Sequence, residues 1–355
     1  MGDMIKGNIA VAEAAVRAGI EVYAGYPITP STEVMEYLSA RLPELGRTFI
    51  QAESELAAIN MVLGVSACGR RSLTASSGPG ISLKQEGISY MAQMNFPAVI
   101  LNVVRWGNGL GSLDGAQTDY LRETRGGGNG DYRNIVLCPS TVQETVDLMY
   151  EAFDIAEKYR CIVVVMTDSG LGQMMEPCEM PPFREIRKCS WGLDGTYQVK
   201  RPDFLGRNIP GESDAYIRKV REMRENEQRW EAVGLEDAEY VFVAYGMCGR
   251  VMTGLVSEMR AAGQRVGLLR PITAWPFPEK AFAQMREKAP GLKGLITVET
   301  NGEGQMVEDV ALYAKKYGLG QVPVYALPYV CGVPKDDVVK ADFDRILSGE
   351  IKEVF

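Results

Sequence analysis

Histidine is absent from all 355 residues of the chain. That absence excludes a Ser-His-Asp or Cys-His nucleophile, an HExxH zinc site and a histidine proton shuttle. Any proton chemistry must run through carboxylates or a bound cofactor. No CxxC pair occurs among the seven cysteines, at 68, 138, 161, 178, 189, 248 and 331. Neither a zinc ribbon nor a ferredoxin-type cluster is therefore written here, and no metal site is expected. The scattered, odd-numbered set, with Cys138 and Cys161 in apolar strands, reads as small buried hydrophobes in a reducing cytosol. The expected location is cytoplasmic. No apolar run approaches the ~18 residues of a membrane span. The start, Met1-Gly2-Asp3-Met4-Ile5-Lys6, lacks the basic and apolar regions of a signal peptide. A basic face is missing too: 38 Lys+Arg against 46 Asp+Glu leave a net charge of −8. Nucleic acid is not an expected partner.

What the chain does have is alternation. Helical periods at 8–18, 31–42, 54–68, 83–94 and 141–159 alternate with strand-like runs at 20–25, 48–51, 72–75, 98–105, 135–138 and 161–167. The run Ala98 to Arg105 (AVILNVVR) reads as a continuous apolar strand, the kind buried on both faces of a parallel sheet. This is a doubly wound α/β pattern. It fails over 177–211, which is rich in Pro, Gly and charge, and a densely charged helix is expected over 213–231. Alternation resumes from Ala238. The expected division is an α/β domain over 1–185, an irregular and helical linker over 186–237, and a smaller α/β domain over 238–355.

Several segments stand out where α/β sheets bind ligands, at the carboxyl ends of strands. Tyr26-Pro27-Ile28-Thr29-Pro30-Ser31-Thr32 joins a strand to a helix; Thr29 or Ser31 can cap that helix, whose N-terminus offers free N–H groups to a carboxylate. Glu53 and Glu55 open a helix that is otherwise almost uncharged (LAAINMVLGVSACG), so Glu55 sits at the edge of a core and needs a partner. Ser76-Ser77-Gly78-Pro79-Gly80 is either a tight turn or a close backbone approach to a ligand. Arg105, ending the buried strand, suits bidentate binding of a carboxylate. The Gly107–Gly111 stretch after it imitates a dinucleotide fingerprint, but no apolar helix follows. Gly126 to Asp131 reads either as a mobile loop or as a connection at a subunit contact.

In this order YPITPST, QAESELAAINMVLG, TASSGPG and a strand-ending arginine resemble the alpha subunits of 2-oxoacid:ferredoxin oxidoreductases. GGGNGDYRNIVLCPSTVQE, GQMMEP, the Arg270–Pro278 run and Glu299–Gln305 fit the same family, so the resemblance covers nearly the whole chain. Within it the chain is most similar to the branched-chain, 2-oxoisovalerate type. The resemblance implies a pyrimidine-binding domain of the thiamine enzymes followed by a domain like the transketolase C-terminal one. It implies thiamine diphosphate as cofactor and coenzyme A as co-substrate.

Glu55, followed nine residues later by Gly64, matches the thiamine-enzyme glutamate that hydrogen-bonds the aminopyrimidine, so the cofactor supplies its own base. By position in the motifs, Thr29 and Arg105 would hold the substrate carboxylate. Trp106, where the family usually has glycine, would shape the substrate pocket. Pro27, Ile28, Ser77, Gly78 and Pro79 would line the cofactor. The GDG…N motif for magnesium and diphosphate is absent, as are cluster cysteines. The resemblance therefore assigns Mg2+ to a beta subunit bearing the GDG motif, and [4Fe-4S] clusters to partner chains. A gamma subunit, a ferredoxin-like delta subunit and ferredoxin complete the expected partners. Other readings are a 2-oxoglutarate or aryl-2-oxoacid enzyme, or a non-oxidative transketolase-type transferase.

Overall fold

A seven-stranded and a five-stranded sheet organise the chain. The computed structural model describes residues 2–186, 189–193 and 212–355; the stretch 194–211, expected to be irregular, lies outside the described residues. The first half runs β1 (Asp3–Lys6), α1 (Gly7–Arg17), β2 (Val22–Gly25), α2 (Thr32–Glu44), β3 (Thr48–Gln51), α3 (Glu55–Ala67), β4 (Ser72–Ser76), α4 (Gly78–Met94) and β5 (Ala98–Val104). It continues with α5 (Tyr120–Arg125), β6 (Ile135–Leu137), α6 (Val142–Tyr159), β7 (Ile162–Asp168), α7 (Ser169–Gln173) and β8 (Met175–Cys178). The remainder is α8 (Glu212–Asn226), β9 (Trp230–Val233), β10 (Tyr240–Val243), α9 (Gly246–Ala261), β11 (Val266–Pro271) and β12 (Thr273–Trp275). After these come α10 (Lys280–Lys288), β13 (Gly294–Thr300), α11 (Met306–Lys316), β14 (Val324–Tyr329) and α12 (Asp336–Leu347).

The larger sheet has the order β12-β6-β7-β5-β4-β2-β3. Its centre is β5 against β7, in parallel register from Ala98↔Ile162 to Val104↔Asp168. Every residue of both strands is buried, as expected of β-branched runs covered by helices on two faces. The smaller sheet, β14-β13-β10-β11-β9, is parallel except for β9.

Three differences from the sequence reading have local causes. Helix α4 begins at Gly78, not Leu83, because glycine and proline in a first turn forfeit no internal hydrogen bond. The charged helix stops at Asn226, and Trp230–Val233 instead pairs antiparallel with β11, where Glu231 meets Arg270 at 2.9 Å. The short β1–β8 ribbon was not readable from periodicity, since each strand has only four residues.

The two halves are closely joined. Strand β9, inside 186–237, belongs to the second sheet, whereas β12 crosses back to pair antiparallel with β6. The Cys138 N–H donates to the Ile272 carbonyl at 2.7 Å. The Arg270 guanidinium, only 3% exposed, donates to both oxygens of Glu144 on α6 at 2.8 and 3.0 Å.

Candidate active site

The carboxyl ends of β2, β4 and β5 converge on the N-termini of α3 and α4. Ser76, the last residue of β4, lies opposite Asn102 of β5. Ser77 then takes an extended conformation as the N-cap of α4, but its hydroxyl makes no capping bond. Gly78 follows with φ +44, and a Cβ there would stand 3.0 Å from Arg105 Nε. Both conformation and proximity therefore require glycine. The expected tight turn is the opening turn of a helix, with Pro79 inside it.

Glu55 begins α3 and is 6% exposed, whereas Glu53 is exposed on the approach to the helix. Ser54 fixes that helix start by accepting from the Ala57 N–H at 3.1 Å. The Glu55 carboxylate lies against α4: a Cβ on Gly80 would come within 2.5 Å of Glu55 Oε1 and 2.2 Å of Ser76 Oγ. One turn further along α4, Lys84 is fully buried, its Nζ donating to Thr74 Oγ1 at 3.0 Å. Burial pushes its ammonium down to about 8, opposed by the negative charge of Glu55.

Arg105, also 6% exposed, ties two loops together. Its terminal nitrogens donate to the Thr29 and Leu110 carbonyls, each at 2.7 Å, while Nε faces Gly78 with no partner. Thr29 thus meets Arg105 through its backbone, and its residue is exposed. Pro27 and Ile28 are half-buried in the same loop. The expected side-chain cap on α2 is not made: Ser31 occupies the N-cap, but its hydroxyl donates to the Ile28 carbonyl at 2.9 Å and so tightens the loop. Trp106 is half-buried and opens a loop closed by Trp106 N to Asp114 O (2.8 Å) and Ser112 N to Trp106 O (2.7 Å).

Sequence reasoning missed a second group of residues. Asn102 Nδ2 donates to Asp119 Oδ2 and to Glu123 Oε1, both at 2.9 Å. Arg122 pairs with Asp119 and reaches the Gly78 carbonyl (3.2 Å) and Ser82 Oγ (2.8 Å). Burial raises the Glu123 carboxyl to about 7, with Arg122 pulling it down and Asp119 pushing it up. The second half of the chain holds this segment in place. Gln117 exchanges bonds with Thr300 (2.7 and 3.1 Å), and Tyr120 donates to Asp309 at 2.7 Å. One signal was available: Asn102 is the lone polar residue in an apolar strand. Helix α5 is too short, and its flanks too glycine-rich, to show a period.

Eleven buried side-chain polar atoms have no hydrogen-bond partner among the described residues. Five of them gather around Gly78: Ser76 Oγ, Ser77 Oγ, Asn102 Oδ1, Arg105 Nε and Arg122 Nε. Buried polar groups are rarely left unpaired, so such a concentration sets this part of the fold apart. The Gly126–Asp131 loop borders it. Gly127 and Gly128 donate to the Tyr132 hydroxyl, which donates to Gln85 on α4, so this part of the loop is pinned. Among the described residues, no group of three or more Cys, Asp or Glu side chains is arranged to hold a metal ion. No described helix is long and apolar enough to cross a membrane.

Comparison with known proteins places the chain in a family. Residues 13–240 match the family described as pyruvate flavodoxin/ferredoxin oxidoreductase, thiamine diphosphate-binding, and residues 238–333 match pyruvate:ferredoxin oxidoreductase core domain II. The chain is 48% identical over 316 residues to ketoisovalerate oxidoreductase subunit VorB of Methanothermobacter thermautotrophicus, covering 87% of this chain and 89% of the relative. It is 34% identical over 344 residues to 2-oxoglutarate synthase subunit KorA of Methanocaldococcus jannaschii, covering 88% and 92%. Its fold is that of a 2-oxoglutarate:ferredoxin oxidoreductase from Magnetococcus marinus, solved with 2-oxoglutarate, coenzyme A and succinyl-CoA bound. That match has a TM-score of 0.84 at 24% identity and covers 97% of this chain but 65% of the longer one. The matched family model spans more than half of the sequence and the VorB relative most of it, so the chain belongs to the 2-oxoacid:ferredoxin oxidoreductase family.

Proposed function

We propose that this chain is the alpha subunit of a thiamine diphosphate-dependent 2-oxoacid:ferredoxin oxidoreductase acting on a branched-chain 2-oxo acid, 2-oxoisovalerate foremost. The reaction takes a 2-oxo acid, coenzyme A and two oxidised ferredoxins to acyl-CoA, carbon dioxide, two reduced ferredoxins and a proton. The observation that carries the reading is the buried Glu55 carboxylate, set against Gly80 beside five unpaired polar atoms. The branched-chain choice rests on the likeness to the VorB relative.

Thiamine diphosphate, when bound, supplies the carbon nucleophile and takes up the electrons released with carbon dioxide. Glu55 holds the aminopyrimidine through a charge-assisted hydrogen bond, which its burial strengthens. Ser77, Gly78 and Pro79 on one side, and Pro27 and Ile28 on the other, wall the cofactor. Arg105 and the Thr29 loop hold the substrate carboxylate, and Trp106 faces the variable part of the acid. A beta subunit bearing the GDG motif supplies Mg2+ and the diphosphate site. A gamma subunit and a ferredoxin-like delta subunit complete the assembly, with [4Fe-4S] clusters in the partner chains passing electrons to ferredoxin. The division into 1–185, 186–237 and 238–355 and a cytoplasmic location belong to the same proposal.

The test is viologen-dye reduction by the purified complex across a panel of 2-oxo acids with coenzyme A. Branched-chain acids should rank first, and the isolated chain should be inactive. A panel led by 2-oxoglutarate or an aryl-2-oxo acid overturns the substrate choice. Turnover by the chain alone overturns the shared site.

A further inference from the structure

Lys84 is the most deeply buried cation near the site, and nothing so far has given it a task. It is 0% exposed, and its one hydrogen bond among the described residues goes to the neutral Thr74 hydroxyl. Nζ carries three donors, so one neutral acceptor leaves a buried charge mostly uncompensated. Such a lysine is costly unless an anion faces it. The elements packed against α4 offer few. Helix α3 carries Glu55 alone, β4 and β5 carry no charged residue, and β7 ends in Asp168, whose Oδ1 accepts from the Leu171 N–H at 2.9 Å; Asp119 and Glu123, whose neighbour Arg122 reaches α4 at Gly78 and Ser82, are held by Arg122 and Asn102. Gly80, four residues before Lys84 and so on the same face of α4, is the residue that touches the Glu55 carboxylate. The field of Glu55 is also the charged contribution acting on Lys84.

We propose that Lys84 is a positioning residue: the built-in counter-charge of Glu55, which keeps its carboxylate aimed past Gly80 toward the cofactor. This rests on the role given to Glu55 under Proposed function and adds what sustains it. A carboxylate buried to this degree is costly unless an opposite charge or hydrogen-bond donors face it. A cation anchored by Thr74 one turn along the same helix face supplies that charge. The mixed character of the position, a lysine in a helix face otherwise packed on the core, is then functional rather than incidental.

The test uses Lys84→Met, Glu55→Gln and the double variant. In the cofactor-free full chain, denaturant unfolding should show coupling at pH 7: the double variant loses less stability than the two single losses added together. Near pH 9.5 the coupling should vanish, because Lys84 is then neutral. In the cofactor-loaded complex, exchange at the cofactor's C2 proton should slow in Lys84→Met, and the same substitution should have no further effect on a Glu55→Gln background. Lys84→Gln, which can keep the bond to Thr74 and loses only charge, should reproduce both results if the Met variant folds poorly. Additive stability losses at both pH values, or an equal slowing by Lys84→Met on the Glu55→Gln background, overturn the inference. Wild-type exchange in Glu55→Gln overturns the underlying reading instead, so the two failures are distinguishable.

Discussion

Glu55 and Gly80 meet so closely that no methyl group fits between them: a Cβ on Gly80 would lie 2.5 Å from Glu55 Oε1. Alanine is the better helix former by roughly 1 kcal/mol, yet it would displace both Glu55 and Ser76. Overpacking, costing about 1–3 kcal/mol, wins. Gly80→Ala should therefore lower the denaturation midpoint and weaken thiamine diphosphate binding, read by calorimetric titration of the complex. Gly64 is the control. It has nothing within 4 Å of its Cβ position, so Gly64→Ala should stabilise the full chain by about 0.5–1 kcal/mol. Equal effects of the two substitutions would remove the significance of the Gly80 contact.

The two neighbouring glutamates should separate cleanly. Glu55 is buried and Glu53 exposed. Glu55→Gln keeps shape but loses charge, and C2 proton exchange of bound thiamine diphosphate should fall on the order of 10²-fold or more. Glu53→Gln should stay near the wild-type rate. NMR after acid quench reads both, and a reversed order would assign the role to Glu53.

Arg105 and Trp106 should split binding from selectivity. On the role proposed for Arg105, Arg105→Ala removes a clamp on the carboxylate that every 2-oxo acid shares, and a charge-assisted bond of this kind is worth about 2–3 kcal/mol. KM should rise roughly 30- to 150-fold for all acids alike. Because Arg105 also holds the Thr29 and Leu110 carbonyls, added guanidinium should rescue only part of the loss. Trp106→Gly should instead change the ranking among acids. An altered ranking at constant KM in Arg105→Ala would exchange the two roles.

Glu123 predicts a pH dependence of stability. Burial raises its carboxyl from 4.5 to about 7, so the folded chain holds a proton there that the unfolded chain releases. This contribution to stability is fully present below pH 4.5 and is lost as pH rises through about 7. Within that window it should cost about 1.4 kcal/mol per pH unit. Glu123→Gln, still able to accept from Asn102, should flatten the decline. Urea midpoints between pH 5 and 8 decide it, and curves that stay parallel to wild type would contradict the assignment.

Much of the placement of the candidate site was legible because its residues sit in short motifs beside apolar elements. Glu55 could be preferred over Glu53 since the helix after it is uncharged, and Arg105 marks the end of the most apolar strand. The start of α4 was misread because glycine and proline are usually punctuation, though a helix's first turn tolerates both. Asp119, Arg122 and Glu123 were out of reach for another reason. Their segment is held by Thr300 and Asp309, and no local pattern announces contacts across so much chain. Lys84 was hidden by ordinary helical spacing, which gives no sign that a cation lies at 0% exposure.

Strand β12 bears on how the molecule is made. Its three residues close the edge of β6, in register Thr273↔Leu137 and Trp275↔Val136. During synthesis, the first sheet must wait with that edge open until residue 275 has emerged, and an open edge invites pairing with another chain. The order of manufacture therefore makes the second half a chaperone for the first. A gene cut near residue 238 would separate that edge from its cover.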